Sequence, residues 1–403
     1  MLRRERYLAS LAPFVDQPGL VKVLTGIRRG GKSVLLGQMA DDLRVRVGPD
    51  RVIVLNFELM DHAGITDAQR LDAHVSSLLP ESGALTYVLL DEVQEVPGFE
   101  KAVNSLRARG NVSLFITGSN AHLLSGDLAT YLAGRYIETR VWPMSFAESL
   151  ELRGVNVDHL PPDALTDYLT WGGMPFRFQL DGDSRRAYLR DVFNSVVLRD
   201  IIQRLGIRDA TGLETVLDYA IENLGRVMSP SSISAYLKGQ GRSLSADTVY
   251  SYLRALDSAL LLRQVKRYDL RGKRVMSTLD KYYATDMGVL SAKRVGAGPG
   301  IGDLIENCVY GELARRNYDV YTGKTPQGEI DFVAVKDGVP RYVQVAYLLA
   351  TDEVATREFR AFDALRDNYP RYVVSLDPVT QDRDGIHHLR LDNFLLNPPA
   401  DLA

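Results

Sequence analysis

The sequence predicts an α/β chain: a first domain on a parallel sheet, then a helical middle region, then a small α/β domain near the C-terminal end. Three observations predict it. From Leu20 to about Gly134 short apolar runs alternate with helical patterns, the order that a parallel sheet with crossover helices requires. After Pro143 the pattern turns helical, interrupted by Trp171-Gly172-Gly173-Met174-Pro175. From about Gly302 a helix is followed by strands, a helix and a last strand. At roughly 100–200 residues per domain, 403 residues call for several modules, expected at 1–143, 144–210, 211–290 and 300–397.

Within the first module, strands are expected at Leu20 to Leu24, Arg51 to Phe57, Tyr87 to Leu90 and Val112 to Ile116, each bounded by turn or charged residues. Leu189, Val192, Phe193, Val196, Val197, Ile201, Ile202 and Leu205 recur at helical spacing, which predicts one long amphipathic helix packed against a core. Ser229-Pro230 starts a helix, with Ser as N-cap and Pro at the first helical position, and Ser245 starts another through about Leu260. In the last module strands are expected at Val320, Ile330, Tyr342 and Arg371 to Leu376, with a helix around Arg357 to Arg366.

Composition narrows the function. The formal charge is only −3, so a nucleic-acid surface has to be a local patch. Cys308 is the single cysteine, which excludes an internal disulfide and a cysteine zinc site and fits a reducing compartment. The segment from Met1 to Leu11 is broken by Arg3, Arg4, Glu5 and Arg6 and lacks the apolar core of a secretory signal. The longest apolar stretches, such as Ala259 to Leu262, fall short of the roughly 18 residues of a spanning helix. A cytoplasmic protein outside the membrane is expected.

The chemistry is concentrated near the N-terminus. Gly26-Ile27-Arg28-Arg29-Gly30-Gly31-Lys32-Ser33 fits G-x-x-x-x-G-K-[ST], directly after an expected strand and before the helical run Val34 to Leu43. Its glycines let backbone N–H groups turn around phosphates, the helix start adds partial positive charge, Lys32 reaches the outer phosphates and Ser33 ligates magnesium. ATP and Mg2+ are the expected cofactors. Val88-Leu89-Leu90-Asp91-Glu92 is an apolar strand ending in two carboxylates, Asp91 for the magnesium shell and Glu92 to orient or deprotonate the attacking water. Leu114-Phe115-Ile116 leads into Thr117-Gly118-Ser119-Asn120, at the strand edge where open α/β sheets bind ligands. Asn120 or Ser119 there either senses the γ-phosphate or simply makes a turn.

Gly-Ile-Arg-Arg-Gly-Gly-Lys-Ser, Leu-Leu-Asp-Glu-Val-Gln, Thr-Gly-Ser-Asn and Leu-Ala-Gly-Arg-Tyr together resemble the prokaryotic AAA-type P-loop ATPases that carry an uncharacterised C-terminal region. The likeness continues through Gly172-Gly173-Met174-Pro175, Leu198-Arg199-Asp200-Ile201-Ile202, Lys281-Tyr282-Tyr283, Glu306-Asn307 and Glu329-Ile330-Asp331-Phe332. It implies ATP hydrolysis, and it implies that Arg135, after Gly134, completes the site of a neighbouring subunit in a homo-oligomer, as a ring or partial ring.

The helices at Ser232 to Lys238 and Ala246 to Leu256, a strand from Leu260 to Tyr268 and a wing from Leu270 to Met276 resemble a winged helix-turn-helix, a DNA-binding or protein-binding module. Residues 263 to 274 hold Arg263, Lys266, Arg267, Arg271, Lys273 and Arg274 against Asp269 alone, and this patch makes DNA the expected partner. Glu306, Asp331 and Gln344-Val345-Ala346 resemble a restriction-endonuclease-like core in which Ala346 stands at the lysine position, so a degenerate site without nuclease activity is expected, with Lys324 as a substitute cation. The leading reading is an oligomeric ATPase that translocates along or remodels DNA. A nucleotide-switched regulatory or interaction protein and an ATP-controlled nuclease are the alternatives.

Overall fold

Valine, leucine and isoleucine runs flanked by turn residues become the central strands of a parallel sheet. The computed structural model describes residues 2–118, 130–132, 134–203, 206–272, 274–276, 279–293, 300–325 and 328–403. The chain divides into two units, Met1–Pro143 with Ser258–Leu260, and Met144–Asp257 with Leu261–Ala403.

The first unit runs α1 (Glu5–Leu11), β1 (Val21–Thr25), α2 (Lys32–Val47), β2 (Val52–Asn56), α3 (Ala68–Leu78), β3 (Thr86–Asp91), α4 (Phe99–Ala108), β4 (Val112–Gly118) and β5 (Tyr136–Arg140). The sheet order is β2-β3-β4-β1-β5, and every pair is parallel. Because side chains alternate along a strand, each strand feeds two cores. Val21, Val23, Val88, Leu90, Leu114 and Ile116 pack with Leu71 and Val75 of α3 and Val103 and Leu106 of α4. Leu24, Leu89 and Phe115 pack on the other face with Leu35, Leu36 and Met39 of α2 and with Tyr7 and Leu11 of α1. The four expected strands are present. The fifth, β5, was not foreseen because Tyr-Ile-Glu-Thr-Arg is a half-exposed, polar edge strand.

A lysine lies within this core. Lys22, in β1, is fully buried and donates to the carbonyls of Gln17 at 3.1 Å and Leu20 at 2.9 Å and to Ser113 Oγ at 2.7 Å. Burial pulls its pKa down to about 7, against a smaller pull upward from Asp16.

The second unit opens with α5 (Phe146–Leu152), α6 (Ala164–Trp171) and α7 (Gly182–Ser195). The expected long helix does not continue as an α-helix: from Val196 to Gln203 the chain is a π-helix. Its wider turn still buries Val196, Val197, Asp200 and Ile201. The loop after α6 wraps a carboxylate. Gly172 has φ +69° and a Cβ there would lie 2.2 Å from Asp286 Oδ1, while a Cβ on Gly173 would lie 2.0 Å from the Met144 carbonyl. Gly173 N–H donates to Asp286 Oδ2 at 2.6 Å.

Then come α8 (Ala210–Glu222), α9 (Pro230–Gly239), α10 (Ala246–Ser258), β6 (Leu262–Val265), β7 (Arg267–Asp269), β8 (Arg274–Val275), β9 (Lys281–Ala284) and α11 (Met287–Ser291). Helix α9 starts as expected, with Ser229 in a capping box and Pro230 at its first position. The last stretch holds α12 (Ile301–Arg315), β10 (Asp319–Thr325), β11 (Gly328–Lys336), β12 (Val339–Val345), α13 (Asp352–Arg360), β13 (Arg371–Ser375), β14 (His387–Arg390) and α14 (Leu391–Leu396). The expected wing is not a free hairpin. Strand β7 pairs in parallel with β10, Tyr268 opposite Gly323, and a mixed seven-stranded sheet results, β14-β13-β12-β11-β10-β7-β8. Strands β6 and β9 form a separate antiparallel pair.

Candidate nucleotide site

The loop from Gly26 to Ser33 joins β1 to α2, so the helix N-terminus opens at the C-terminal edge of the sheet. Gly31 caps α2 with φ +103°, a conformation that favours glycine. A Cβ on Gly26 would lie 2.3 Å from the Val141 carbonyl, and one on Gly30 would lie 2.9 Å from the Ile27 carbonyl. Ile27 is buried, Arg28 is ion-paired with Glu58 at 2.6 Å, and Arg29 sits at φ +61°. Lys32 is folded back into the loop. Its side chain is 3% exposed, and Nζ donates to the carbonyls of Gly26 at 3.1 Å and Ile27 at 3.3 Å and lies 3.5 Å from Glu92 Oε1.

Three neighbouring strand ends complete the site. Asp91, the last residue of β3, accepts from Thr117 Oγ1 of β4 at 2.5 Å and from Asn56 Nδ2 of β2 at 3.0 Å. Burial raises its pKa, and hydrogen bonds from Thr117 and Ser33 partly offset that. The Ser33 hydroxyl and the Asp91 carboxylate are therefore adjacent. Their hard oxygens suit Mg2+, which takes one or two carboxylates and shares the rest of its shell with water and substrate phosphates. Among the described residues no group of three His, Cys, Asp or Glu could hold a metal by itself. Glu92 is buried at φ +51°, its N–H donating to Thr117 Oγ1 at 2.9 Å and its Oε2 accepting from Gln94 Nε2 at 2.5 Å.

The P-loop residues, Asp91 and Glu92 are thus brought together, and Asn56, Thr117 and Gln94 join them. The signal for Asn56 was available: a polar residue ends an apolar strand, as Asp91 does. Asn120 and Ser119 lie outside the described residues. Arg135 lies at the opposite edge of the sheet, its carbonyl accepting from Val21 N–H at 3.0 Å. At about 3.3 Å per residue, the five residues of β1 separate it from its own P-loop. The Arg107 guanidinium has its pKa lowered by burial and by the nearby charge of Arg135.

In the second unit, the acids of the nuclease-like pattern do converge, and they carry a cation. Lys281 of β9, 5% exposed in its side chain, has Nζ 2.5 Å from Glu329 Oε1, 3.2 Å from Glu306 Oε1 and 3.9 Å from Asp331 Oδ1. Tyr283 donates to Glu306 Oε1 at 2.7 Å. Asp331 Oδ2 accepts from Val345 N–H at 2.8 Å, and Asp331 N–H donates to Gln344 Oε1 at 3.2 Å. The cation among these acids is Lys281; Lys324, the expected one, is exposed and exerts its charge on Asp269. In the basic stretch, Lys266, Arg271 and Arg274 are exposed, Arg263 is paired with Asp257 at 3.0 Å, and Lys273 lies outside the described residues.

Residues 19–150 match the AAA domain family and residues 162–297 a domain of unknown function, DUF8612. A Haemophilus influenzae protein described as uncharacterized is 37% identical over 399 residues, 98% of this chain and 99% of its own length. The chain belongs to that protein's family. The uncharacterized protein MJ1544 of Methanocaldococcus jannaschii is 26% identical, over 93% of this chain and 85% of its own. Among solved structures, the Walker-type ATPase PABY2304 of Pyrococcus abyssi aligns with a TM-score of 0.49 at 17% identity, covering 73% of this chain and 96% of that one. The Aeropyrum pernix Orc1 protein, solved in complex with DNA, aligns with a TM-score of 0.36 at 16% identity, covering 72% and 92%. By its match over residues 19–150 the chain carries an AAA-type P-loop domain, followed by a further region. Among the described residues no helix is long and apolar enough to cross a membrane.

Proposed function

We propose that this chain hydrolyses ATP with Mg2+, works as a homo-oligomer and acts on DNA. The observation that carries the hydrolytic reading is the convergence of Lys32, Ser33, Asp91 and Glu92 on one sheet edge, with Lys32 3.5 Å from Glu92. Lys32 and the loop N–H groups hold the phosphates, and Ser33 and Asp91 hold Mg2+, which supplies charge neutralisation there. Glu92 takes the proton of the attacking water, and Asn120 or Ser119 is the candidate sensor of the γ-phosphate. Arg135, a strand length from its own loop, acts on the nucleotide of a neighbouring copy.

The test is nucleotide binding and phosphate release by the full chain and two variants. Lys32→Ala is expected to lose binding or turnover, whereas Glu92→Gln binds ATP and hydrolyses it about 10²- to 10⁴-fold more slowly. Normal hydrolysis by Lys32→Ala would refute the site.

The DNA reading is supported by the exposed Lys266, Arg271 and Arg274 at one edge of the seven-stranded sheet. Contacts there go to phosphates and discriminate little between sequences. Metal-dependent DNA cleavage is not expected. The cation already inside the acid cluster is the Lys281 ammonium, which a metal ion would have to displace.

A further inference from the structure

We infer that Gln94 is the positioning residue for Glu92: its amide N–H holds one carboxylate oxygen and so aims the other at the attacking water. This rests on the hydrolytic reading above.

Both oxygens of Glu92 are engaged. Oε1 faces the Lys32 ammonium at 3.5 Å, and Oε2 accepts from Gln94 Nε2 at 2.5 Å. The two contacts respond differently to a nucleotide. Among the described residues Lys32 holds two loop carbonyls and this carboxylate, and a triphosphate offers the ammonium more charge and more oxygens. When Lys32 turns to the phosphates, Oε1 is released. Gln94 stays, because it belongs to the same short turn as Glu92, Val93–Glu95, closed by Glu95 N–H on the Glu92 carbonyl at 3.1 Å.

The orientation of the Gln94 amide follows from charge. Turned the other way, its oxygen would face the Glu92 carboxylate, so the NH2 faces Glu92 and Oε1 faces elsewhere. That Oε1 is buried and has no hydrogen-bond partner among the described residues, although buried acceptors are nearly always satisfied. It lies one amide width from the atom that holds Glu92. With Oε2 held by Gln94, the released Oε1 is the Glu92 oxygen left to receive a proton of the attacking water. As the water oxygen bonds to phosphorus, the bond to the leaving diphosphate oxygen breaks and Glu92 takes the proton.

The experiment pairs two readouts on the full chain. In Gln94→Met, which keeps the length and removes donor and acceptor, kcat should fall roughly 10- to 100-fold, the scale of a misplaced reacting group. ATP affinity measured by titration should stay within about twofold, the signature of an interaction made in the transition state. With ¹⁵N-glutamine labelling and no nucleotide, the Gln94 side-chain amide should be exchange-protected and should move in Glu92→Ala. Gln94→Glu, close in shape but unable to donate, should lose kcat as Gln94→Met does. An unchanged kcat in both variants while Glu92→Gln is slow overturns the inference and leaves the hydrolytic reading intact. An unprotected Gln94 amide that ignores Glu92→Ala overturns it independently of turnover. Absence of ATP hydrolysis by the unmodified chain removes both.

Discussion

Replacing Lys281 with Met should destabilise the chain by about 3 kcal/mol. The ammonium is 5% exposed and lies within 4 Å of three carboxylates whose own side chains are 14 to 28% exposed. Breaking a buried ion pair by removing one partner costs about 3–5 kcal/mol, and partial access of water to the acids argues for the lower end. For a unit of this size about 1 kcal/mol corresponds to roughly 2–4 °C, so the transition should fall by about 6–12 °C in a thermal scan. The loss should also depend on pH. Asp331 has a pKa well above the ordinary carboxylate value because it is buried beside Glu306, with Lys281 pulling the other way. A carboxyl raised in the folded state binds its proton before the unfolded chain does, so its contribution is present at low pH and disappears as pH rises through the folded value. Removing Lys281 takes away the pull that holds this value down, so the gap between variant and parent should narrow as pH falls from neutrality toward the ordinary carboxylate range. Adding Glu329→Gln to Lys281→Met should recover part of the loss. A drop below about 2 °C, or a gap that ignores pH, would refute the account of Lys281 as charge compensation.

Three further outcomes are expected. Arg135→Ala should lose turnover by about 10³- to 10⁵-fold if it acts as a finger, and mixing it with Lys32→Ala subunits should restore some activity; assembled mixtures without recovery count against a role in trans. Replacing Arg271, Lys273 and Arg274 by Ala should flatten a salt slope of log affinity for DNA of roughly −3 to −4, with DNA-free ATPase activity retained. An unchanged slope would favour a protein partner for this edge. Lys22, with a folded pKa of about 7 against 10.5 for an ordinary lysine, sheds its proton first in the folded state. The stability of the parent relative to Lys22→Met should therefore rise with pH between those values, and a pH-independent difference in denaturant titrations would be the contrary result.

The first unit was legible because its signals are local. Apolar runs of four to six residues, bounded by turns and alternating with helical patterns, read as buried strands, and the phosphate loop shows in its glycine spacing. What escaped notice was either weakly patterned or distant in sequence. Tyr136–Arg140 has no apolar face, being an edge strand. The turn from α-helix to π-helix at Val196 keeps a near-helical apolar period. Lys281 lies 25 residues before the nearest acid it contacts, so no spacing rule anchored on Asp331 or Ala346 leads to it. Ser375, His388 and Asp377 show the opposite hazard, a chemical grouping without the matching chemistry. His388 Nδ1 accepts from Gln381 N–H at 3.0 Å, which leaves Nε2 as the donor toward Ser375 Oγ at 2.8 Å, and an imidazole donating there cannot deprotonate the hydroxyl.

The parallel pairing of β7 with β10 bears on how the chain is synthesised and divided. Some fifty residues emerge from the ribosome between the two strands, so the basic hairpin has no lasting partner until the later strand is made. A fragment ending near residue 297, where the second matched family region stops, would leave the β7 edge open and strip Lys281 of Glu306, Glu329 and Asp331. Open strand edges invite pairing between chains, and such a fragment is expected to aggregate while one that retains the later strands stays monodisperse.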